Sequence, residues 1–269
     1  MSAMALHDAY ARLTPFELAF PDGGERLVSS VEEQLGEEAD PGDVRTFLTL
    51  PAVGSFLDEM RAQDTGSEAI HPFGMFAYHA FHFVRAGRPV LLAEESVVRR
   101  LVRTAPDVSD PRLPAEAGYL QLPQHLFWTP GPENVPESVD GLFWTRSSDG
   151  LLHLLLAMGM RRERPGLVVA PVPDVPWADA GLWLEACIRP DGEDFATTLP
   201  GGELDELCSF ETAGEVLKLT ARLMAYLHGT PGAVADGVPG EAPPEGPPAS
   251  KMPYRRIVPT DAKESENDG

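Results

Sequence analysis

The stretch that most constrains the fold is residues 118–189, where short apolar and aromatic-rich runs alternate with turn residues. Several runs have the length and composition of β-strands: 119–122, 126–128, 142–145, 151–160, 167–172 and 182–188. The clearest turn is Ser147-Ser148-Asp149-Gly150, because an Asp-Gly pair can adopt the positive φ angles that a tight hairpin requires. Since turns join these runs without the helix between strands that a parallel sheet would need, we predict an antiparallel meander.

Helical patterns flank this block on both sides. Before it, Thr14 and Glu17 form a capping-box pattern, and Val53, Phe56 and Met60 recur at helical spacing. After it, apolar residues hold the helical period up to the end of the closing helix. Helices and strands that each have one apolar face bury best against each other. We therefore predict an α+β fold, in which a helical N-terminal layer packs on a central antiparallel β-meander with a C-terminal helix.

This pattern predicts a single domain over residues 1–228. Its helical part covers residues 1–105, and the sheet with the closing helix covers residues 118–228. Residues 229–269 are rich in proline and glycine and hold few large apolar side chains. Such a segment cannot bury enough surface to offset its ordering entropy, so we predict a flexible tail.

Residues 252–258 are an exception within that tail. Tyr254 and Ile257 offer apolar area, and Arg255 and Arg256 are basic in an otherwise acidic chain. We predict that this strip docks back on its own acidic domain, because such exceptions often tie down a terminus. The alternative is a short linear motif that binds a partner.

The chain is strongly acidic, with 42 Asp and Glu residues against 21 Lys and Arg and a formal net charge of -21. A field of that sign repels phosphate backbones and anionic lipid, which argues against nucleic-acid binding through a basic patch and against a membrane surface. The first ten residues lack a basic region followed by an apolar run. No apolar run approaches the ~20 residues of a membrane span. We therefore expect a cytoplasmic protein whose partner is another protein.

The sequence holds no recognisable motif for catalysis or cofactor binding. It lacks the Gly-x-Ser-x-Gly elbow, the glycine-rich phosphate loops and the His-Glu-x-x-His pattern of zinc enzymes. Cys187 and Cys208 form no Cys-x-x-Cys pair and read as buried apolar residues. We therefore assign no catalytic residue and expect no cofactor.

Histidines give the candidate metal site. His79 and His82 lie at i, i+3 on one predicted helix, a spacing that can bring two imidazoles to one ion, and His71 precedes them on the same helix. The competing interpretation is structural, because a histidine in an aromatic-dense helix is more often a core or boundary residue. His153 interrupts a predicted strand, and we interpret it as a boundary or outward-facing residue.

Tryptophans give the candidate binding site. Trp128, Trp144, Trp177 and Trp183 all fall within the strand block. Indole rings dominate burial in protein cores, and half-exposed ones make anchor sites for a bound peptide. We expect most of them to pack in the core, and we take Trp128, Trp144 and Trp183 as candidate peptide-binding residues beside a sheet edge.

The order of motifs in the second half resembles a known family. Gly118-Tyr119-Leu120-Gln121-Leu122-Pro123 leads into Leu126-Phe127, and then come Val139-Asp140-Gly141-Leu142-Phe143-Trp144, the run from Leu151 and a closing helix. This order is similar to that of the type V-A anti-CRISPR proteins that block biosynthesis of the CRISPR effector nuclease, and of their uncharacterised bacterial relatives. The resemblance covers residues 118–227. It implies a non-enzymatic protein that recognises a nascent peptide of its target and triggers loss of the message.

Two functional hypotheses follow. The favoured one is a non-enzymatic, cytoplasmic binding or regulatory protein that engages a protein or a nascent peptide. The missing catalytic motifs, the clustered tryptophans and the family resemblance support it. The alternative is an enzyme or metal-binding protein whose site is built from scattered histidines and carboxylates.

Overall fold

The structure is a computed structural model, and it describes residues 10–35, 40–63, 70–103, 112–130, 136–158, 166–170, 176–177, 210–240, 242 and 246–260. Its helices there are α1 (Pro15–Ala19), α2 (Glu25–Gln34), α3 (Val44–Leu48), α4 (Pro51–Gln63), α5 (Ile70–Arg85), α6 (Glu95–Arg103) and α7 (Phe210–Gly229). Its strands there are β1 (Val90–Ala93), β2 (Ala117–Gln121), β3 (Trp128–Pro130), β4 (Pro136–Arg146), β5 (Leu152–Met158), β6 (Gly166–Ala170), β7 (Val234–Asp236) and β8 (Arg255–Ile257). The predicted strand at 182–188 lies outside the described residues.

Local sequence signals explain where several helices begin and end. The predicted capping box before α1 is confirmed, because the Thr14 hydroxyl accepts from the Glu17 N–H at 3.2 Å and the Glu17 carboxylate accepts from the Thr14 N–H at 3.0 Å. The Asp43 carboxylate caps α3 by accepting from N–H groups of its first turn. After α5, Gly87 adopts a φ of +83°, a left-handed conformation that ends the helix.

The described strands form one mixed sheet. Its order is β6-β5-β4-β2-β1-β8-β7, and β3 pairs with β4 beside this path. The pairs β2–β4, β4–β5, β5–β6 and β7–β8 are antiparallel. However, β1 pairs in parallel with both β2 and β8. The prediction of a purely antiparallel sheet is therefore wrong, because α6 is a crossover helix that brings the chain back to run parallel to β1.

Alternate side chains of the strands point to opposite faces of the sheet, and helices cover both faces. On one face, Leu120 and Trp144 join a buried cluster with α6 and α7. On the other face, Tyr119 and Phe143 join a cluster with α1 to α5. The helical region predicted for residues 1–105 therefore does not form a single layer. The strand β1 lies between α5 and α6 in the sequence, and α6 packs on the face of the sheet opposite to α1 to α5. None of the described helices combines the length and the apolarity needed to cross a membrane.

Two short strands, β7 and β8, follow α7 within residues 229–269, the segment whose composition predicts a flexible tail. The strand β7 pairs with β8, and β8 pairs with β1. Within the predicted docking strip, the side chains of Tyr254 and Ile257 are buried. The segment also contacts the residues just before α1, since the Leu13 N–H donates to the Pro248 carbonyl at 2.7 Å. Ladder hydrogen bonds and a few buried side chains are enough to hold such a short strand on an existing sheet.

Candidate functional site

Three histidines meet where α5 lies against the β4–β5 hairpin. His79 and His82 belong to α5 and His153 belongs to β5, and their rings surround Tyr78 at ring-centre distances of 5.7, 4.6 and 5.8 Å. We call His79, His82 and His153 the histidine cluster. The buried Tyr78 hydroxyl donates to the Gly42 carbonyl at 3.0 Å, so the loop before α3 also belongs to the site. Burial raises the pKa of Tyr78, so this hydroxyl keeps its proton.

His79 is the most deeply buried member of the cluster. Its side chain is 0% exposed, and its Nδ1 lies 2.8 Å from the Thr145 hydroxyl on β4. Its Nε2 is also buried and has no hydrogen-bond partner among the described residues. Burial lowers the pKa of His79 well below 6.5, and the neighbouring His153 and His82 lower it further. The ring is therefore neutral at pH 7.

His82 joins α5 to the loop before α3. Its Nε2 lies 2.9 Å from the Pro41 carbonyl, and since a carbonyl can only accept, this nitrogen carries the proton and donates. Burial lowers the pKa of His82, and the hydrogen bond to Pro41 opposes that shift. Both protonation states of the ring keep this bond, because titration changes the proton on Nδ1.

His153 belongs to a chain of hydrogen bonds inside the β4–β5 turn. Its Nε2 lies 3.2 Å from the Ser147 hydroxyl, which in turn donates to the Asp149 carboxylate. Because the serine proton points to the carboxylate, the histidine nitrogen is the donor to the serine. A serine nucleophile needs the opposite arrangement, in which the histidine accepts the serine proton. These three residues therefore hold the turn together and do not activate Ser147, which is 6% exposed.

The metal site expected at His71, His79 and His82 stays a prediction, because one of its three side chains lies outside the described part. His79 faces β4 and His82 faces the loop before α3, so the two rings bond to different elements although they share a helix. His71 lies in α5, and its side chain is outside the described part. No group of three or more His, Cys, Asp or Glu in the described residues has a metal-binding arrangement. Sequence reasoning did not place His153 beside His79 and His82. The observation that could have indicated it is a polar residue inside an apolar strand.

The four tryptophans have different environments. Trp144 is fully buried, and its Nε1–H donates to the Ala115 carbonyl at 3.0 Å. Trp177 is also buried, and Trp183 lies outside the described residues. Trp128, by contrast, is 46% exposed. Of the described residues proposed from sequence for peptide binding, Trp128 presents indole surface to solvent and Trp144 belongs to the core.

Trp128 begins β3 and forms an aromatic pair with a neighbouring residue. Its ring stacks on His125, with 5.1 Å between the ring centres and 21° between the ring planes. His125 adopts a φ of +64°, a left-handed conformation that is uncommon without glycine, and its N–H donates to the Ser138 hydroxyl at 3.0 Å. Trp128 also lies opposite Ser138 in the β3–β4 ladder. The exposed indole therefore stands on a paired strand and not on an isolated loop.

The chain is acidic, and its described residues form an α+β fold with helices on both faces of a mixed sheet, a histidine cluster around the fully buried His79, and an exposed Trp128. Comparison with family models, with curated proteins and with solved structures finds no match to this chain. The resemblance to the anti-CRISPR family therefore stays a prediction. A proposed function must rest on the geometry of the exposed and buried side chains.

Proposed function

We propose that the protein is a binding or regulatory protein without catalytic activity of its own, and that Trp128 anchors a peptide of its partner. The observation that carries this proposal is the 46% exposure of an indole ring on a paired strand. Tryptophan is among the residues most enriched at binding hot spots, because it offers a large apolar area with a polar handle. The stacked His125 ring restricts the orientation of the indole, which reduces the entropy lost on binding.

The net charge of the chain supports a basic partner. A formal charge of -21 attracts a segment rich in lysine and arginine and speeds its approach. A lysine or arginine side chain can lie over the exposed part of the indole, where a cation–π interaction contributes about 0.5–2 kcal/mol. We therefore propose that the partner presents an extended peptide containing basic and apolar residues.

The family resemblance supports a finer proposal, in which the peptide is nascent and its binding leads to loss of the message. A chain that leaves the ribosome is extended before it folds. A site that reads side chains of an extended peptide suits such a target. In this proposal the protein acts in the cytoplasm, on a target that is still being translated.

Site-specific photo-crosslinking tests the peptide site. A photoreactive amino acid replaces Trp128 in one variant and Val238 in a control, because Val238 is also apolar and exposed, at 80%, and follows the edge strand β7. Segments that crosslink in native cells at position 128 and not at position 238 are identified and synthesised. We expect Val238→Ala to bind that peptide as the wild type does, and Trp128→Ala to bind it at least about tenfold more weakly. Equal binding by all three proteins, or identical crosslinks at both positions, would contradict the proposal.

The nascent-peptide step has its own test. Ribosomes that translate the crosslinked partner are separated on a sucrose gradient, and the level of the partner's message is measured in the same cells. We expect the wild type to sediment with these ribosomes and to lower the message, and Trp128→Ala to do neither. If the protein binds the synthetic peptide but does not sediment with ribosomes, the proposal of a peptide site stands and the proposal of a nascent target is refuted.

A further inference from the structure

The strand β7 is the last in the sheet order, and its outer edge is a second candidate interaction surface. We propose that β7 is a self-association surface, on which β7 of a second copy of this chain pairs antiparallel and continues the sheet across a twofold axis. The proposal does not depend on the peptide site, because Trp128 belongs to β3. It rests on the register of β7 against β8, on the exposure of the edge and on the side chains that the edge carries.

The hydrogen bonds between β7 and β8 determine which main-chain groups of β7 point outward. The residues on either side of β7, Ala233 and Gly237, both bond at 2.9 Å to main-chain groups that flank β8. Hydrogen-bonded positions alternate along an antiparallel pair, so Ala235 also bonds to β8. The N–H and C=O groups of Val234 and Asp236 therefore point away from β8, and they bond to no other main-chain group of the described residues.

This outer edge is open to solvent. Ala235 and Asp236 are exposed, and Val238, which follows the strand, is 80% exposed. In the described part of the chain, no strand lies beyond β7 in the sheet. A strand edge with outward N–H and C=O groups is a template for pairing with a strand of another molecule.

Twofold symmetry selects one register for two copies of β7. When the pairing is centred on Ala235, Val234 of each copy lies opposite Asp236 of the other, and each such pair exchanges both N–H···O=C bonds. Centring on Asp236 instead would set two carboxylates directly opposite each other, which is destabilising. Centring on Val234 would set Asp236 opposite Gly232, whose φ of +79° belongs to a turn and not to a strand.

The side chains of β7 suit the register centred on Ala235. This alanine lies on the twofold axis, where the opposite Cα atoms approach to about 4.5 Å and a small side chain avoids a clash. The ends of the paired strands bring the exposed Val238 of each copy beside the turn at residues 230–232 of the other. Asp236 lies opposite Arg255 in the β7–β8 ladder of its own chain, so a nearby cation partly balances its charge.

The net charge of the chain gives this association an unusual salt dependence. Two copies that each carry a formal charge of -21 repel one another, whereas the main-chain bonds between the two strands are neutral. Salt screens the repulsion over a length of about 10 Å at 0.1 M. We therefore expect the dimer to become tighter as salt rises, whereas a contact between oppositely charged patches would become weaker.

Sedimentation equilibrium of the full chain, over a series of protein concentrations at about 0.05 M and about 0.5 M salt, tests the surface. Asp236→Pro removes the outward N–H, and an edge strand tolerates proline at such a position. We expect it to raise the dimer dissociation constant at least about fivefold, because one hydrogen bond per copy is lost. The control Asp236→Asn keeps the N–H and should dimerise at least as tightly as the wild type. A wild type that stays monomeric at both salt concentrations, or a dimer that salt weakens, would overturn the proposal.

Disulfide trapping tests the register and remains decisive if the proline variant does not fold. Ala235→Cys and the matched control Asp236→Cys are each made in a background where serine replaces the two native cysteines, Cys187 and Cys208. The two copies of position 235 lie about 4.5 Å apart between Cα atoms, and those of position 236 about 9 Å apart. A disulfide requires less than about 7 Å, so under a mild oxidant we expect Ala235→Cys to form a covalent dimer at least about tenfold faster. Equal rates for the two variants, or no covalent dimer of Ala235→Cys, would refute pairing through β7.

Discussion

Replacing Ile257 with alanine tests whether the C-terminal strip is part of the folded protein. Ile257 lies in β8 between Ala93 of β1 and Val234 of β7, and its side chain is 0% exposed. It belongs to the buried cluster that α6 and α7 form on that face of the sheet. Arg255 is exposed in the same strand, so Arg255→Ala removes a side chain from β8 without opening the core.

The expected effect of Ile257→Ala follows from its complete burial. Truncating a buried isoleucine to alanine costs about 2–5 kcal/mol of unfolding free energy, because lost burial adds to the cavity left behind. The exposed substitution Arg255→Ala is expected to stay within about 0.5 kcal/mol of the wild type. At about 2–4 °C per kcal/mol for a chain of this size, Ile257→Ala lowers the Tm by about 4–20 °C.

Urea unfolding followed by circular dichroism measures the free energies, and scanning fluorimetry measures the Tm. The set contains the wild type, the two variants and a chain truncated after Gly229. Because the strip can detach before the rest of the protein unfolds, Ile257→Ala cannot lose more free energy than the truncated chain loses. If Ile257→Ala and Arg255→Ala unfold at the same urea concentration with equal m values, the strip is not docked in solution and the placement of β8 is refuted.

Two further predictions concern the core. An added Cβ in Gly118→Ala would lie 2.2 Å from the buried Trp144 ring, and we expect repacking to cost about 1–3 kcal/mol in urea unfolding. The control Gly54→Ala, with no heavy atom within 4 Å of the new Cβ, should stabilise α4 by up to about 1 kcal/mol; equal stability of the two variants would contradict the packing. Arg12 is 1% exposed and donates to two main-chain carbonyls at 2.6 and 3.2 Å. The substitution Arg12→Leu removes a donor from the Leu122 carbonyl, whereas the Asp140 carbonyl keeps its bond from the Leu122 N–H at 3.0 Å. It should therefore cost about 1–3 kcal/mol, and a loss no greater than that of the exposed control Arg26→Leu would count against this burial.

The β4–β5 hairpin could be predicted because its signals are local. The Asp149-Gly150 pair predicts the turn, and in the structure Gly150 adopts a φ of +85° and donates its N–H to the Ser147 carbonyl at 3.0 Å. The ladder then pairs Arg146 with Leu152, as a hairpin around this turn requires. The capping box of α1 is equally local, since it depends on residues within one helical turn. Such elements need no information about the rest of the fold.

The strands β1 and β8 could not be predicted in this way, because their stability comes from neighbours that are distant in the sequence. Val90–Ala93 is a short apolar run between two helices, and a run of that length does not distinguish a strand from the edge of a helix. Arg255–Ile257 has one fully buried residue in a proline-rich segment. The two strands pair with each other, so the residues of one strand alone do not show that it has a partner. Without these two strands the sequence predicts a central antiparallel meander, and it predicts residues 252–258 as a docking strip without naming a neighbouring strand.

The histidine cluster could not be predicted, because it depends on which helices cover which face of the sheet. Leu152 and Leu154 join the cluster on the side of α6 and α7, so strand alternation turns His153 to the side of α5. That deduction requires knowing that α5 and α6 lie on opposite faces of the sheet. The helices are separated by β1, which was not predicted. Helical spacing in the sequence therefore placed His79 and His82 in one candidate site and did not include His153. Of the three histidines, His79 is the fully buried one. An apolar side chain would fill its position without a titrating group, so the buried imidazole costs stability at low pH.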